Sequence, residues 1–316
     1  MKPRTSSGVE LKTALAALAI SALWGGNVVA LKVGLGTFPP FWSAFWRMLC
    51  GLPVLALWAR ILGAPLKPAK GEWKWLIVLG TVFAVQISIL NFGVNFTSAA
   101  YAVVLMNSNP IFTNLVAHFF VPGDKLSRIR ALGLTIAFAG ICFAYLGEPD
   151  ARLASRPLLG NALATLTAMV FGMRMVFTQR LIQRIEPLRV IFWQIAFSTP
   201  CFLVAGALLE EPLRGPLHAA PVVAILYQGV IVAGGCFVVW VKLLRKTPPG
   251  VLSVFAFPTP IFGVIASAFI FSEKLAPELM VSVLAVAAGI LVVTLEASRR
   301  RPTESKVEAD IPAAIR

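Results

Sequence analysis

Apolar runs separated by short polar links occupy almost the whole sequence. They fall at residues 12–34, 39–62, 75–96, 98–121, 129–146, 158–179, 190–209, 221–241, 249–271 and 277–295. Each is close to the 17–25 residues a helix needs to cross a hydrocarbon core of roughly 30 Å. Lipid offers no partner to a bare backbone N–H or C=O, so runs of this kind cross as helices. The pattern predicts an all-α integral membrane protein of ten transmembrane helices.

The ten runs divide into two sets of five. The segment Gly147 to Pro157 is polar and turn-rich, and it separates them. Pro110-Ile111-Phe112 recurs as Pro260-Ile261-Phe262, Val104 and Phe119 match Val254 and Phe269, and Gly140-Ile141 matches Gly289-Ile290. A repeat with an odd number of spans inserts its second copy upside down, so the halves should be two inverted five-helix repeats about a central cavity. The expected organisation is a cytoplasmic segment 1–11, a first repeat 12–146, an outer linker 147–157, a second repeat 158–296 and a disordered tail 297–316.

Composition agrees with this and removes other classes. With 58% hydrophobic and 13% charged residues over 316 positions, no soluble domain is hidden in the chain. A net charge of +14 raises the question of nucleic acid, but the placement of the charge answers it. With the N-terminus inside, most Lys and Arg fall on the inner links, among them Arg60, Lys67, Lys70, Lys74, Arg128, Arg130, Arg180, Arg184 and Arg189. The outer links hold Arg152, Arg156, Arg214 and Lys274. This bias orients a membrane protein with both termini cytoplasmic. The basic, apolar N-terminus ends in Lys32-Val33-Gly34 without a cleavage pattern and is expected to stay as the first span. Cys50, Cys142, Cys201 and Cys236 lie in spans without metal-ligand spacing and are expected to be buried packing thiols.

Candidate chemistry is concentrated at polar groups inside the spans. Pro110, Pro258 and Pro260 remove backbone donors from the carbonyls of Met106, Val254 and Ala256 and are expected to kink helices that line or gate a path. Asn107, Ser108, Asn109 and Thr259 supply polar groups beside these kinks. Arg174 is the strongest candidate for solute contact, because an intramembrane charge is costly and faces a bundle interior or water. Its planar fork suits a carboxylate. Asn27 occupies the matching place in the first span, three residues after Trp24, which faces lipid or cavity. Gln86, Asn91, Tyr101 and Tyr227 complete the expected substrate-binding set. Lys32 is expected to snorkel outward, Arg47 to bind backbone carbonyls, and His118 to be structural.

Absences narrow the function further. None of the 14 Asp and Glu lies deep within a span, and no HExxH, Walker A or paired acidic metal motif occurs. No catalytic residue, metal site or cofactor is therefore expected, and a positive charge without a negative one points to a neutral, zwitterionic or anionic solute.

The combination resembles the EamA-type permeases of the drug/metabolite transporter superfamily. Ala22-Leu23-Trp24-Gly25-Gly26-Asn27 followed by Lys32 is similar to their first span, and Arg47 to the arginine of their second. Ser98-Ala99-Ala100 leading to Pro110, then Asp124-Lys125-Leu126, resembles the end of their first repeat. Ser272-Glu273-Lys274-Leu275 resembles the end of the corresponding stretch in the second. Pro122-Gly123-Asp124 and Gly160-Asn161 depart from the family pattern. The resemblance covers residues 12–296 and implies a ten-helix basket with alternating access. It implies a secondary transporter exporting small metabolites such as amino acids. A carrier of sugar-like or phosphorylated metabolites is the alternative, and a membrane enzyme acting on a lipid precursor a more distant one. Partners are then a small-molecule substrate and the lipid bilayer, with no nucleic acid, in a monomer or homodimer.

Overall fold

A computed structural model describes residues 11–121, 126–236, 239–240, 243, 255 and 257–300. The segments 1–10 and 301–316, the Pro122-Gly123-Asp124-Lys125 motif, and Val254 and Ala256 lie outside the described residues. Among the described residues the regular structure is helical: α1 Leu11–Leu35, α2 Pro40–Leu62, α3 Trp73–Phe96, α4 Ala99–Met106, α5 Asn109–Phe120 and α6 Arg128–Leu146. After the linker come α7 Pro157–Leu181, α8 Pro187–Leu209, α9 Ala219–Leu226, a π-helix Tyr227–Cys236, α10 Thr259–Phe271 and α11 Pro277–Arg300. Eight of these stretches, counting α9 with the π-helix as one, are long and apolar enough to cross a membrane. The remaining two places in the pattern belong to the proline-bearing segments, one divided into α4 and α5 and the other represented by the short α10. Helix α11 continues four residues beyond the expected start of the tail.

The packing displays the internal symmetry. Helix α6 packs along α11, and α2 along α8, each pair formed from matching spans of the two halves. The other large interfaces come in conjugate pairs: α1 on α10 answers α7 on α4 and α5, while α3 on α7 answers α1 on α9 and the π-helix. Individual residues obey the same exchange. A Cβ on Gly133 would stand 3.0 Å from Gly289 O, and one on Gly140 would stand 3.0 Å from Ser282 O. Position 133 matches 282, and 140 matches 289, so these are one contact seen twice. Residue numbers rise along α6 as they fall along α11, so the two run antiparallel, which an in-plane twofold requires.

The outer surface is apolar. Leu57, Ile61, Phe138, Leu208 and Phe269 are exposed, as a lipid-facing belt should be. Cys142 and Cys201 are exposed as well, contrary to the expectation that all four thiols are buried, whereas Cys236 is buried and Cys50 half-buried. On the basic side of the molecule, Arg189 pairs with Glu72 at 2.8 Å, and Trp193 donates to Leu66 O at 2.7 Å, joining the α2–α3 link to α8. On the linker side, Lys32 does not snorkel. Its ammonium donates to Thr97 O at 2.6 Å, Leu153 O at 2.7 Å and Val94 O at 2.8 Å. The last carbonyls of a helix lack internal donors, and a cation there meets both the missing bonds and the negative end of the helix dipole.

Candidate functional site

The first Pro-Ile-Phe marks an interruption in a helix, not a bend. Helix α4 stops at Met106, Asn107 and Ser108 form a tight turn, and Pro110 stands in the first turn of α5. Proline is favoured there because its missing N–H has no partner to lose. The carbonyls left at the end of α4 are served by the polar run itself: Asn107 Nδ2 donates to Val103 O at 2.7 Å, and Asn109 Nδ2 to Met106 O at 3.1 Å. In the second half, Pro258 forms the turn before α10, and Pro260 lies in the first turn of that helix. The expectation of kinked but continuous helices is corrected accordingly at Pro110.

Each Pro-Ile-Phe rests on a glycine of the other repeat. A Cβ on Gly172 of α7 would lie 2.7 Å from Thr113 N and 2.8 Å from Phe112 Cβ. One on Gly25 of α1 would lie 2.8 Å from Gly263 N and 3.1 Å from Phe262 Cβ. Gly25 and Gly172 match, as do Phe112 and Phe262. The backbones of α1 and α7 approach the restarted helices so closely that only glycine fits, the small-residue packing common between membrane helices.

Two polar clusters lie in the seams around these crossings. In the first, Arg174 is 7% exposed. Its Nε donates to Gln86 Oε1 at 2.6 Å and its Nη1 to Gln194 Oε1 at 2.8 Å. The rings of Phe83 and Phe171 stand 5.1 and 5.0 Å from the guanidinium carbon. In the second, Arg47 is 4% exposed. Its Nη1 donates to Gln228 Oε1 at 3.0 Å, and Gln228 Nε2 donates to Ala224 O at 3.2 Å. Arg47 thus bonds a side chain instead of the expected backbone carbonyls. The clusters use corresponding spans: α7, α8 and α3 for Arg174; α2 and the π-helix, with Asn27 of α1 at the place of Arg174, for Arg47.

The remaining predicted residues divide between seams. Trp24 is half-buried against Trp240, with ring centroids 5.0 Å apart. Tyr227 donates to Leu23 O at 2.5 Å, its hydroxyl lying over Gly26, so Trp24, Asn27 and Tyr227 gather along one side of α1. Asn27 is half-buried and makes no hydrogen bond to another described residue. Asn91 is fully buried and ties α3 to the start of α2 by donating to Pro40 O at 2.7 Å. Tyr101 is fully buried beside Gly147, at the linker side. His118 accepts from Leu126 N at 3.1 Å, a structural role. Gln86 and Arg174 are brought together; Asn91 and Tyr101 are distant in role from them, each joining other helices.

Sequence reasoning missed Gln194, whose only signal was an isolated amide in an apolar span. It also missed how deeply a carboxylate at a span end can sit. Glu273 is 5% exposed, and its Oε2 accepts from Ser267 Oγ at 2.6 Å. The same oxygen lies 3.4 Å from Ala100 N, at the start of α4. Outside the spans, burial raises the Glu210 carboxyl above its ordinary range, against the pull of the Phe41 and Trp42 amides it accepts from. Arg152, by contrast, holds Asp150 well below the usual carboxylate range.

Known proteins share this chain's sequence and fold. The uncharacterized transporter YoaV of Bacillus subtilis (strain 168) is 23% identical over 292 residues, covering 92% of this chain and 99% of its own. An uncharacterized transporter of Archaeoglobus fulgidus is 24% identical over 266 residues, 83% of this chain and 90% of its own. Protein PagO of Salmonella typhimurium is 21% identical over 296 residues, 91% and 93% of the two chains. A crystal structure of a protein 17% identical in sequence superposes with a TM-score of 0.65, over 92% of this chain and 99% of the other, and shows the same fold. The EamA-like transporter family matches twice, over residues 11–146 and 158–295, once in each half of the packing symmetry described above. The chain is a multi-pass membrane transporter and belongs to the EamA-like transporter family.

Proposed function

We propose that this transporter is a secondary carrier that exports small metabolites, amino acids foremost, across the cytoplasmic membrane by alternating access, with both termini in the cytoplasm. The observation that supports the solute class is Arg174. Its buried guanidinium is bonded to neutral amide oxygens and aromatic faces, and no carboxylate among the described residues bonds it. A charge held in this way presents an uncompensated positive field, which favours a carboxylate and disfavours a cation. Half-buried Trp24, Asn27, Asn107 and Tyr227 supply the polar and aromatic surface along the path, and the glycine-backed helix starts at Pro110 and Pro260 supply its gates. Gln86 holds Arg174 in place, while Asn91 and Tyr101 act through the helices they join. Counterflow of labelled amino acids in proteoliposomes tests the reading. Wild-type protein should show saturable exchange, and Arg174→Ala, reconstituted at equal levels, should abolish it. Unchanged exchange by that variant would remove Arg174 from the mechanism.

A further inference from the structure

The two polar clusters occupy matching spans but are not equally satisfied. Arg174 has its Nε and Nη1 bonded, and the rings of Phe83 and Phe171 lie 5.1 and 5.0 Å from its guanidinium carbon. Arg47, more deeply buried, uses Nη1 alone, and its Nε and Nη2 have no partner. One helical turn earlier on the same face of α2, the hydroxyl of fully buried Ser43 has no partner either. A Cβ on Gly34 of α1 would stand 3.6 Å from Ile225 Cδ1, 3.7 Å from Ser43 Oγ and 3.9 Å from Gln228 Nε2, so α1 contributes no side chain at this point of the seam. A buried donor without a partner costs about 1–3 kcal/mol, and more when charged. Two unpartnered nitrogens of Arg47 and the Ser43 hydroxyl one turn away, on one face of α2, are a strong reason for an occupant.

We propose that Ser43 and the free edge of Arg47 form a carboxylate-binding site between α1, α2 and the start of the π-helix. Nε and Nη2 lie along one edge of the guanidinium and present two parallel N–H groups. That spacing matches the two oxygens of a carboxylate. Gln228 fixes the plane of the fork by holding Nη1, and the Ser43 hydroxyl, with a free rotor, donates from the preceding turn. Arg47 is the one cation in this cluster among the described residues, so a single negative charge is neutralised and a phosphate dianion is not. The proposal rests on the export of amino acids or similar acids proposed above and adds the group that hydrogen-bonds the solute's acid end, whereas Arg174, with Nε and Nη1 engaged by Gln86 and Gln194, acts chiefly as a fixed charge.

The test is acetate binding to the purified full-length protein, followed by thermal unfolding and calorimetry, with acetamide and chloride as matched probes. Acetate should stabilise the wild type and acetamide should not. Arg47→Gln should remove the response, and Arg47→Lys and Ser43→Ala should weaken acetate at least tenfold. Those two conservative variants keep the test decisive if Arg47→Gln fails to fold. An equal response to acetate in Arg47→Lys and Ser43→Ala overturns the site. So does equal stabilisation by chloride or acetamide, which would mean that a small ion or ordered water fills the seam, and so does no response in the wild type. The two readings separate cleanly. Amino-acid counterflow that is unaltered in Ser43→Ala and Arg47→Lys defeats this site and leaves the carrier. Acetate binding that depends on Arg47, without amino-acid counterflow, defeats the solute assignment and leaves the site.

Discussion

Substituting Gly172 by alanine tests whether the restarted helices are braced as the packing indicates. Three atoms would meet the new methyl: Thr113 N at 2.7 Å, Phe112 Cβ at 2.8 Å and the Phe112 carbonyl carbon at 2.9 Å. Two of them are backbone, so no rotamer change relieves the clash, and α7 and α5 must separate by about half an ångström or more. A gap of that size forfeits a quarter to a half of each dispersion contact along the seam. Overpacking of this kind costs about 1–3 kcal/mol, against a helix-propensity gain of about 1 kcal/mol for replacing glycine. Because the clash is with backbone, the cost lies near the upper end of that range, and the net expectation is a loss of about 2 kcal/mol, read as a melting point several degrees lower in detergent. Gly25→Ala, facing Thr259 O at 2.6 Å and Gly263 N at 2.8 Å, should lose a similar amount. Gly215, with nothing within 4 Å of its added methyl, is the control and should tolerate alanine. A Gly172→Ala protein as stable as wild type would refute the close approach.

Three further outcomes follow from the ends of the helices. Lys32→Met should destabilise by about 2–4 kcal/mol in thermal unfolding, because the carbonyls of Val94, Thr97 and Leu153 lose a charged donor. Glu296→Ala should cost about 3–5 kcal/mol, since Arg130 loses the carboxylate it bonds at 2.6 Å, whereas an apolar replacement of both partners should cost far less. Asp150→Asn carries a pH signature. A carboxyl held low by Arg152 contributes stability that is present above the unfolded value of about 3.9 and is lost as pH falls through the folded one. The small difference between variant and wild type should therefore be constant near neutrality and close only below about pH 4.

Much of the fold was legible because lipid imposes a simple rule. Span length, the charge bias and the repeated Pro-Ile-Phe were enough to expect ten helical segments and two inverted halves. What hydrophobicity cannot encode is the local partner. In sequence Asn107 and Asn109 are simply polar groups near a proline; in the structure they are the caps that let the helix stop and restart. Lys32 was placed at the headgroups by its distance from the midplane, yet four residues of the neighbouring α3 end and the linker offered carbonyls within reach. The Arg47 partner, Gln228, lies 181 positions away in sequence, and only the exchange of spans between halves brings it near. Arg174 stood out because it is a lone charge; Gln194 did not, because an amide carries no such signal.

The twofold relation makes the molecule resemble a symmetric dimer joined into one chain. In such a body each off-axis interface has a twin, and letting the halves trade conformations yields a second shape built from the same pairs of helices. Two shapes composed of equivalent contacts differ in free energy only through positions where the halves disagree. Among those positions are Asn27 against Arg174 and Thr113 against Gly263. For a carrier that alternates access as proposed above, the resting orientation is then set by its broken symmetry, and substitutions that make the halves more alike should bring its two orientations closer to equal population.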